Sequence, residues 1–336
     1  MNEKREFDEN DKRITFVVPM KNAEQTIEAC LRSICAQAQT VNNEIKIVIV
    51  NDNSQDDSAK RVAQFKSRNK TTDVQLIRNE YTMGRAATRN IGLSRVQTPY
   101  VAFVDSDVEL PSKWLESCIK KFQDNRIACV STSVQPDGYL SHFSELFDVQ
   151  VIPKRPTNNI HGSNMLCKTA IIRELGGFNV NLPDGEDTDL GYRILHKKLK
   201  ICFIEDLICK HYVRPSIKSL MKRSFSHGRA GTLLFIRYRK LKSQDVAFLV
   251  FLAFIFVAVI FGTLLDPGSI IWFLLCGVFM LLTGSAVFTI LNFNFRKKKN
   301  VLPALIVASL FIFIYLLGRL RGILSVVWRV NKHTKL

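Results

Sequence analysis

The chain has 336 residues, room for one large or two ordinary domains, and a formal net charge of +17. The excess is uneven: residues 1–209 hold 28 Lys+Arg against 28 Asp+Glu, whereas residues 210–336 hold 19 against 2. A general nucleic-acid binder would carry its basic patch on the folded domain. Here the positive charge flanks long apolar runs, which argues against nucleic acid as a partner and points to a membrane surface.

Nine of the first thirteen residues are charged, so residues 1–12 read as a charged arm, and the apolar run at 14–18 is far too short for a signal-peptide core. That run is β-branched and apolar, and Pro19 closes it as a first strand. Ile27, Leu31, Ile34 and Ala38 then recur with helical spacing, one stripe facing a sheet. A second strand at 45–50 runs into Asn51-Asp52-Asn53-Ser54-Gln55-Asp56-Asp57, either a ligand-facing loop or a helix cap. After a short strand at 74–77, Gly84 opens a helix on which Arg85 and Arg89, four apart, share a face. Two such guanidiniums suit an anionic ligand or a surface ion-pair helix.

The buried strand at 100–104 ends in Asp105-Ser106-Asp107. Two carboxylates at the carboxyl end of a strand lie where α/β proteins bind ligands, and they suit a hard divalent cation, Mg²⁺ or Mn²⁺. The alternative is a turn or a cap for the next helix. Four alternating β/α units imply a mainly parallel sheet covered on both faces, an α/β Rossmann-like fold.

A helix at 114–122 and a strand at 127–133 lead to a proline- and glycine-interrupted stretch at 135–160, long enough to be a functional loop or lid. His161-Gly162-Ser163-Asn164 and Gly176-Gly177-Phe178 come next. Then come Asp184-Gly185-Glu186-Asp187-Thr188-Asp189 and a helical pattern: four acids in six residues, more than a helix cap needs, so one of them suits a general base. His211, just after apolar runs at 201–204 and 207–209, is a structural histidine or a ligand. Eight cysteines without C-x-x-C spacing read as reduced and buried.

From 210 to 244 there are ten Lys+Arg and no acid, a basic segment expected to form short amphipathic helices in a membrane interface. Residues 246–265 and 270–291 are each long and apolar enough to span a bilayer, and 301–318 forms a third apolar stretch, either a further crossing or a re-entrant segment. Arg296-Lys297-Lys298-Lys299 marks a cytoplasmic side, so the expectation is a multi-pass protein of the cell membrane with a cytoplasmic catalytic domain at 13–209 and a basic tail at 319–336.

With both acidic clusters and the motifs between them in order, residues 13–230 resemble the family 2 glycosyltransferases, inverting enzymes of the GT-A fold. The motifs are Val17-Val18-Pro19-Met20-Lys21-Asn22, the 50–56 loop, the helix from Gly84 to Gly92, Asp105-Ser106-Asp107, the 161–166 strand, Gly176-Gly177-Phe178 and Glu186-Asp187. The resemblance implies a nucleotide-sugar donor, a UDP- or GDP-sugar, bound by Pro19, Asn22, Asp52, Arg89 and Asp105. It places a divalent metal on Asp107 and His211, and makes Asp187 the general base. Gly162, Ser163, Asn164, Glu186 and Arg223 fall on the acceptor side, where a lipid-linked acceptor is expected: polyprenyl phosphate, lipid-linked saccharide or glycolipid. Lys222-Arg223-Ser224-Phe225-Ser226-His227-Gly228 stands where processive members carry Gln-x-x-Arg-Trp, which favours transfer of one sugar per encounter. A processive polysaccharide synthase and an inactive membrane scaffold are the competing readings.

Overall fold

A computed structural model describes residues 13–41, 45–137, 160–182, 184–212, 217–239 and 313–326. The described elements are β1 (Ile14–Met20), α1 (Ile27–Val41), β2 (Ile45–Asn51), α2 (Ser58–Arg68), β3 (Asp73–Arg78), α3 (Arg85–Ser94), β4 (Tyr100–Val104) and β5 (Val108–Glu109). They continue with α4 (Trp114–Lys121), β6 (Ile127–Asp137), β7 (Asn164–Lys168), α5 (Thr169–Glu174), α6 (Glu186–His196), β8 (Lys200–Tyr212), α7 (Ile217–Tyr238) and α8 (313–326). The chain divides into two compact units. In described residues, the second comprises 182, 184–185, 217–239 and 313–326.

In the first unit the strands form one eight-stranded sheet ordered β3-β2-β1-β4-β7-β6-β8-β5. Strands β3, β2, β1 and β4 are mutually parallel, β7 is inserted antiparallel between β4 and β6, and β6 runs parallel to β8. Successive side chains of a strand point to opposite faces, so the continuous apolar runs of the central strands bury both faces. Phe16, Val18, Ile47 and Ile49 meet Ile27, Leu31 and Ile34 of α1 and Trp114 of α4 on one side. Val17, Val48 and Phe103 meet Leu93 of α3 and Leu190 and Ile194 of α6 on the other.

The structure extends three expected strands. Strand β1 runs through Pro19 to Met20; it pairs with β4 only as far as Val17, so on that side a residue without an N–H forfeits no ladder bond. Strand β6 continues to Asp137, leaving 138–159 of the expected lid outside the described residues. The apolar runs at 201–204 and 207–209 are one strand, β8. Thr132 pairs with Ile204 and Ser133 with Ile208, so the intervening residues bulge out. The boundary expected after 209 therefore falls inside a strand that continues to Tyr212 and carries His211 opposite Val108 of β5.

In the second unit residues 217–238 of the basic segment form one 22-residue helix, α7, where shorter helices were expected. It crosses α8 at backbone contact: a Cβ at Gly228 would lie 1.9 Å from the Tyr315 carbonyl oxygen, and one at Gly318 would lie 2.1 Å from that of Phe225. Small residues let helix backbones meet this closely. The contact buries Arg319, which is 2% exposed and sits by the Tyr315 ring, and Thr232 donates its hydroxyl to the Arg319 carbonyl at 3.0 Å. The expected spans 246–265 and 270–291 lie outside the described residues, and α8 runs on past the expected limit at 318. Among the described residues no helix is long and apolar enough to cross a membrane.

Candidate active site

Arg89 is the hub of the acidic clusters. It projects from the middle of α3 with 1% exposure and donates through Nη2 to Asp105 Oδ1 at 2.7 Å and to the Gly162 carbonyl at 2.9 Å. Its Nη1 donates to Glu186 Oε1 at 2.5 Å. Burial disfavours the guanidinium charge, but the carboxylates of Asp105 and Glu186 more than offset this, and its pKa is raised. Phe178 and Phe103 pack in a T-shaped pair with centroids 4.9 Å apart, and the Phe178 ring lies 5.5 Å from the guanidinium. Asn90 fixes that ring's backbone by accepting from Phe178 N–H and donating to its carbonyl, both at 2.8 Å. Arg89, expected at the donor, is thus spent on the protein's own carboxylates and positions them. Glu186, expected on the acceptor side, is its buried partner at 5% exposure.

Gly162 links the hub to Asp187. Its carbonyl accepts from Arg89, and its N–H donates to Asp187 Oδ2 at 3.0 Å. A Cβ at this position would stand 2.9 Å from that oxygen, so only glycine permits the approach. The next residue, Ser163, accepts through its carbonyl from Asp105 N–H at 3.0 Å, tying the start of β7 to the end of β4. Asn164 departs from the acceptor-side expectation. It has no exposed surface and is consumed by Thr132 of β6, accepting from its N–H at 2.9 Å and its hydroxyl at 2.8 Å.

The four acids of the 184–189 cluster separate by partner. Asp184 pairs with His227 at 3.1 Å, Glu186 with Arg89, and Asp189 with Arg193 at 2.8 Å. Among the described residues Asp187 instead accepts backbone N–H bonds, from Gly162 and from Thr188 at 2.6 Å, besides a long contact with the Thr188 hydroxyl. Burial and the neighbouring Glu186 charge raise its pKa, against the opposing pull of Arg89. A half-buried carboxylate with a raised pKa and no cation of its own is suited to accept a proton.

At the sheet's rim, Asp107 lies against His211, with Oδ2 3.3 Å from Nε2 and 39% of the Asp107 side chain exposed. The pairing of β5 with β8 and the bond from Tyr212 N–H to the Asp107 carbonyl at 2.8 Å hold the two together. Burial alone would raise the Asp107 pKa, but the hydrogen bond and charge of His211, with Arg85 nearby, lower it. An exposed carboxylate beside an imidazole fits a Mg²⁺ or Mn²⁺ that takes its remaining ligands from water and phosphate oxygens. Among the described residues no group of three or more His, Cys, Asp or Glu is placed to hold a metal by itself.

The remaining candidates lie in the loops after β1 and β2. Pro19 is buried in β1, paired with Val50. Asn22, with a positive φ of 49°, accepts from Gln55 N–H and donates its own N–H to Ser54 Oγ, both at 2.9 Å. Asp52, 4% exposed, accepts from Asn79 Nδ2 at 3.0 Å and from the N–H groups of Met83 at 2.7 Å and Gly84 at 3.1 Å. It fixes the approach to α3 that delivers Arg89. Arg223 lies on α7 in the second unit. The sequence motifs flagged most of these positions but not Thr132, Asn79 or His227, whose roles come from partners distant in the chain.

Comparison with known proteins adds the family. The model of glycosyl transferase family 2 matches residues 15–172, and that of glycosyl transferase family group 2 matches residues 100–288. A pre-mycofactocin glycosyltransferase of Mycobacterium tuberculosis is 24% identical over 237 residues, 67% of this chain and 48% of that protein. The chain thus spans about half the length of that relative. An Escherichia coli UDP-Glc:alpha-D-GlcNAc-diphosphoundecaprenol beta-1,3-glucosyltransferase is 29% identical over 195 residues, 56% of this chain and 72% of the relative. The mannosyltransferase of Pyrobaculum calidifontis, solved with GDP-Man and Mn²⁺, superposes with a TM-score of 0.63 at 16% identity, covering 92% of this chain and 87% of that one, which shows a shared fold. Ordered motifs, a mainly parallel sheet ending in paired carboxylates, and a family model matched over more than half its length agree: the chain belongs to the family 2 glycosyltransferases.

Proposed function

We propose that the protein transfers a sugar from a nucleotide-sugar donor to a lipid-linked acceptor at a membrane, with inversion and with a divalent metal. The observation that carries the reading is the contact chain Asp105–Arg89–Glu186 with Gly162 and Asp187, which gathers two acidic clusters at one place and leaves Asp187, among the described residues, hydrogen-bonded to backbone N–H groups rather than ion-paired. Asp187 accepts the acceptor hydroxyl's proton as that oxygen attacks the anomeric carbon from the face opposite the leaving diphosphate. Asp107 and His211 would hold Mg²⁺ or Mn²⁺, which when bound supplies positive charge to the departing nucleoside diphosphate. Arg89 and Gly162 orient the carboxylates and keep them fixed.

The lipid-linked acceptor is supported by the run of apolar segments after 245, by the acid-free basic helix α7, and by an E. coli relative named for a diphosphoundecaprenol acceptor. The metal is supported by the Asp107–His211 pair and by the Mn²⁺ in the structural neighbour. Lys222 and Arg223, without a following tryptophan, favour one transfer per encounter.

The test is a donor screen on detergent-solubilised full-length protein with polyprenyl phosphate and lipid-linked saccharide acceptors, scoring nucleoside diphosphate release with Mn²⁺, with Mg²⁺ and with chelator. Release from one UDP- or GDP-sugar that needs acceptor and metal is expected, together with a loss of orders of magnitude in Asp107→Asn. Release from no donor would overturn the reading, and activity undiminished by chelation would remove the metal from it.

A further inference from the structure

The geometry of the Asp107–His211 pair depends on a very short strand pairing. Strand β5 stands last in the sheet order and is two residues long. Its ladder with β8 consists of Val108 opposite His211 and Glu109 opposite Lys210. So short a pairing specifies its register weakly, and a slip of one residue would turn His211 to the other face of the sheet, away from Asp107.

Tyr212 adds two bonds across this join. Its N–H reaches the Asp107 carbonyl at 2.8 Å, and its phenol hydroxyl donates to Glu109 Oε2. Tyr212 lies two positions past Lys210, which makes it the diagonal neighbour of Glu109, a separation that an aromatic side chain spans across antiparallel strands. A one-residue slip would put phenol and carboxyl on opposite faces, so the bond selects the register observed. Other contacts hold each strand to its own surroundings. Leu110 N–H donates to Ser33 Oγ at 3.0 Å and the Pro111 carbonyl accepts from Gln37 Nε2 at 3.1 Å, tying the end of β5 to α1, while β8 pairs with β6 as far as Tyr212. The Tyr212 bonds tie the two strands to each other. We propose that Tyr212, acting through Glu109, is a positioning residue for Asp107 and His211, pinning the register in which both side chains face one divalent cation. The proposal rests on the reading of that pair as the metal site.

The experiment compares Tyr212→Phe, Glu109→Ala and Glu109→Gln in full-length solubilised protein. Mn²⁺ is titrated in the presence of UDP and, separately, of GDP, with free Mn²⁺ read by electron paramagnetic resonance. Removing a group that orients metal ligands typically weakens binding about 10 to 100-fold. Tyr212→Phe and Glu109→Ala should each weaken Mn²⁺ binding about ten-fold, whereas Glu109→Gln, which keeps an acceptor, should stay within about three-fold of the wild type. The double variant Tyr212→Phe with Glu109→Ala should be no weaker than either single, as one shared bond requires. Unchanged affinity in Tyr212→Phe, or losses that add in the double variant, would overturn the proposal. Hydrogen exchange separates this from failure of the metal reading, because it needs no metal. Amides 107–110 and 210–212 should lose protection in Tyr212→Phe while those of β1 and β2 keep it, and unchanged protection overturns the pin on its own. Wild-type protein that binds no Mn²⁺ would overturn the metal reading, and exchange alone would then decide the pin. Glu109→Ala carries both measurements should Tyr212→Phe fail to accumulate.

Discussion

At the scale of single residues, Asp187 and Glu186 are adjacent acids with opposite fates. Glu186 is neutralised by a buried arginine, whereas Asp187 is left with backbone donors in a setting that favours its protonated form. Replacing Asp187 with Asn should reduce kcat about 10² to 10⁴-fold while nucleotide-sugar affinity changes little, and a variant that instead loses donor binding would place the residue at the donor. The acid limb of kcat/KM should lie above the ordinary carboxylate range. Stability has the same sign. Between the ordinary and the raised pKa the folded protein holds more protons than the unfolded chain, so the Asp187 contribution to stability declines as pH rises through that window. Melting temperature recorded against pH should show this decline in the wild type and not in Asp187→Asn. Arg89 makes the complementary case. Its two terminal nitrogens serve two different carboxylates, so Arg89→Met leaves both unpaired, at a cost of about 3–5 kcal/mol. Arg89→Lys cannot span both. A denaturant midpoint that barely moves in Arg89→Met would contradict the hub. The sequence pointed to both acidic clusters but not to which acid keeps its charge uncompensated, because each pairing is made with a residue on another element.

At the scale of elements, the apolar pattern made β1, α1, β2 and β4 legible, since the strands are continuous apolar runs buried on both faces and α1 carries a stripe of helical period. The bulged strand β8 was not. Glu205 and Asp206 interrupt its apolar run, and only pairing with β6 shows that they loop out of a continuous strand that carries His211 to Asp107. The partner of Asn164 was hidden for a similar reason: an asparagine in a polar run does not announce that Thr132, on another strand, takes up its side chain. The crossing of α7 and α8 was equally hidden, since glycines inside helical runs announce no partner. Gly228→Leu should force the two helices apart and expose amides of 313–326 to hydrogen exchange, while the sheet of the first unit keeps its protection. Equal protection in both proteins would contradict the backbone contact.

For the molecule as a whole, charge segregation was the property most plainly written in the composition, with all but two of the acids in residues 1–209 and the whole cationic excess in residues 210–336. On the proposed function, the basic residues of α7 attract lipid phosphate, each contributing about 1 kcal/mol near an anionic surface. Neutralising Lys222 and Arg229 to Gln should raise the apparent KM for a phosphate-bearing lipid acceptor several-fold and leave acceptor-independent donor hydrolysis unchanged. Normal acceptor kinetics in a correctly inserted variant would sink that role. The Arg89–Glu186 contact has a consequence for how the molecule comes into being. Its partners stand 97 positions apart, whereas β1 and β2 pair across about a third of that distance. Closing the longer loop costs somewhat more entropy than pairing β1 with β2, so the β1–β2 pairing should form ahead of the catalytic centre. In refolding, turnover should accordingly return later than far-ultraviolet ellipticity. A nascent chain released before Glu186 emerges would have made its first four strands and no active site.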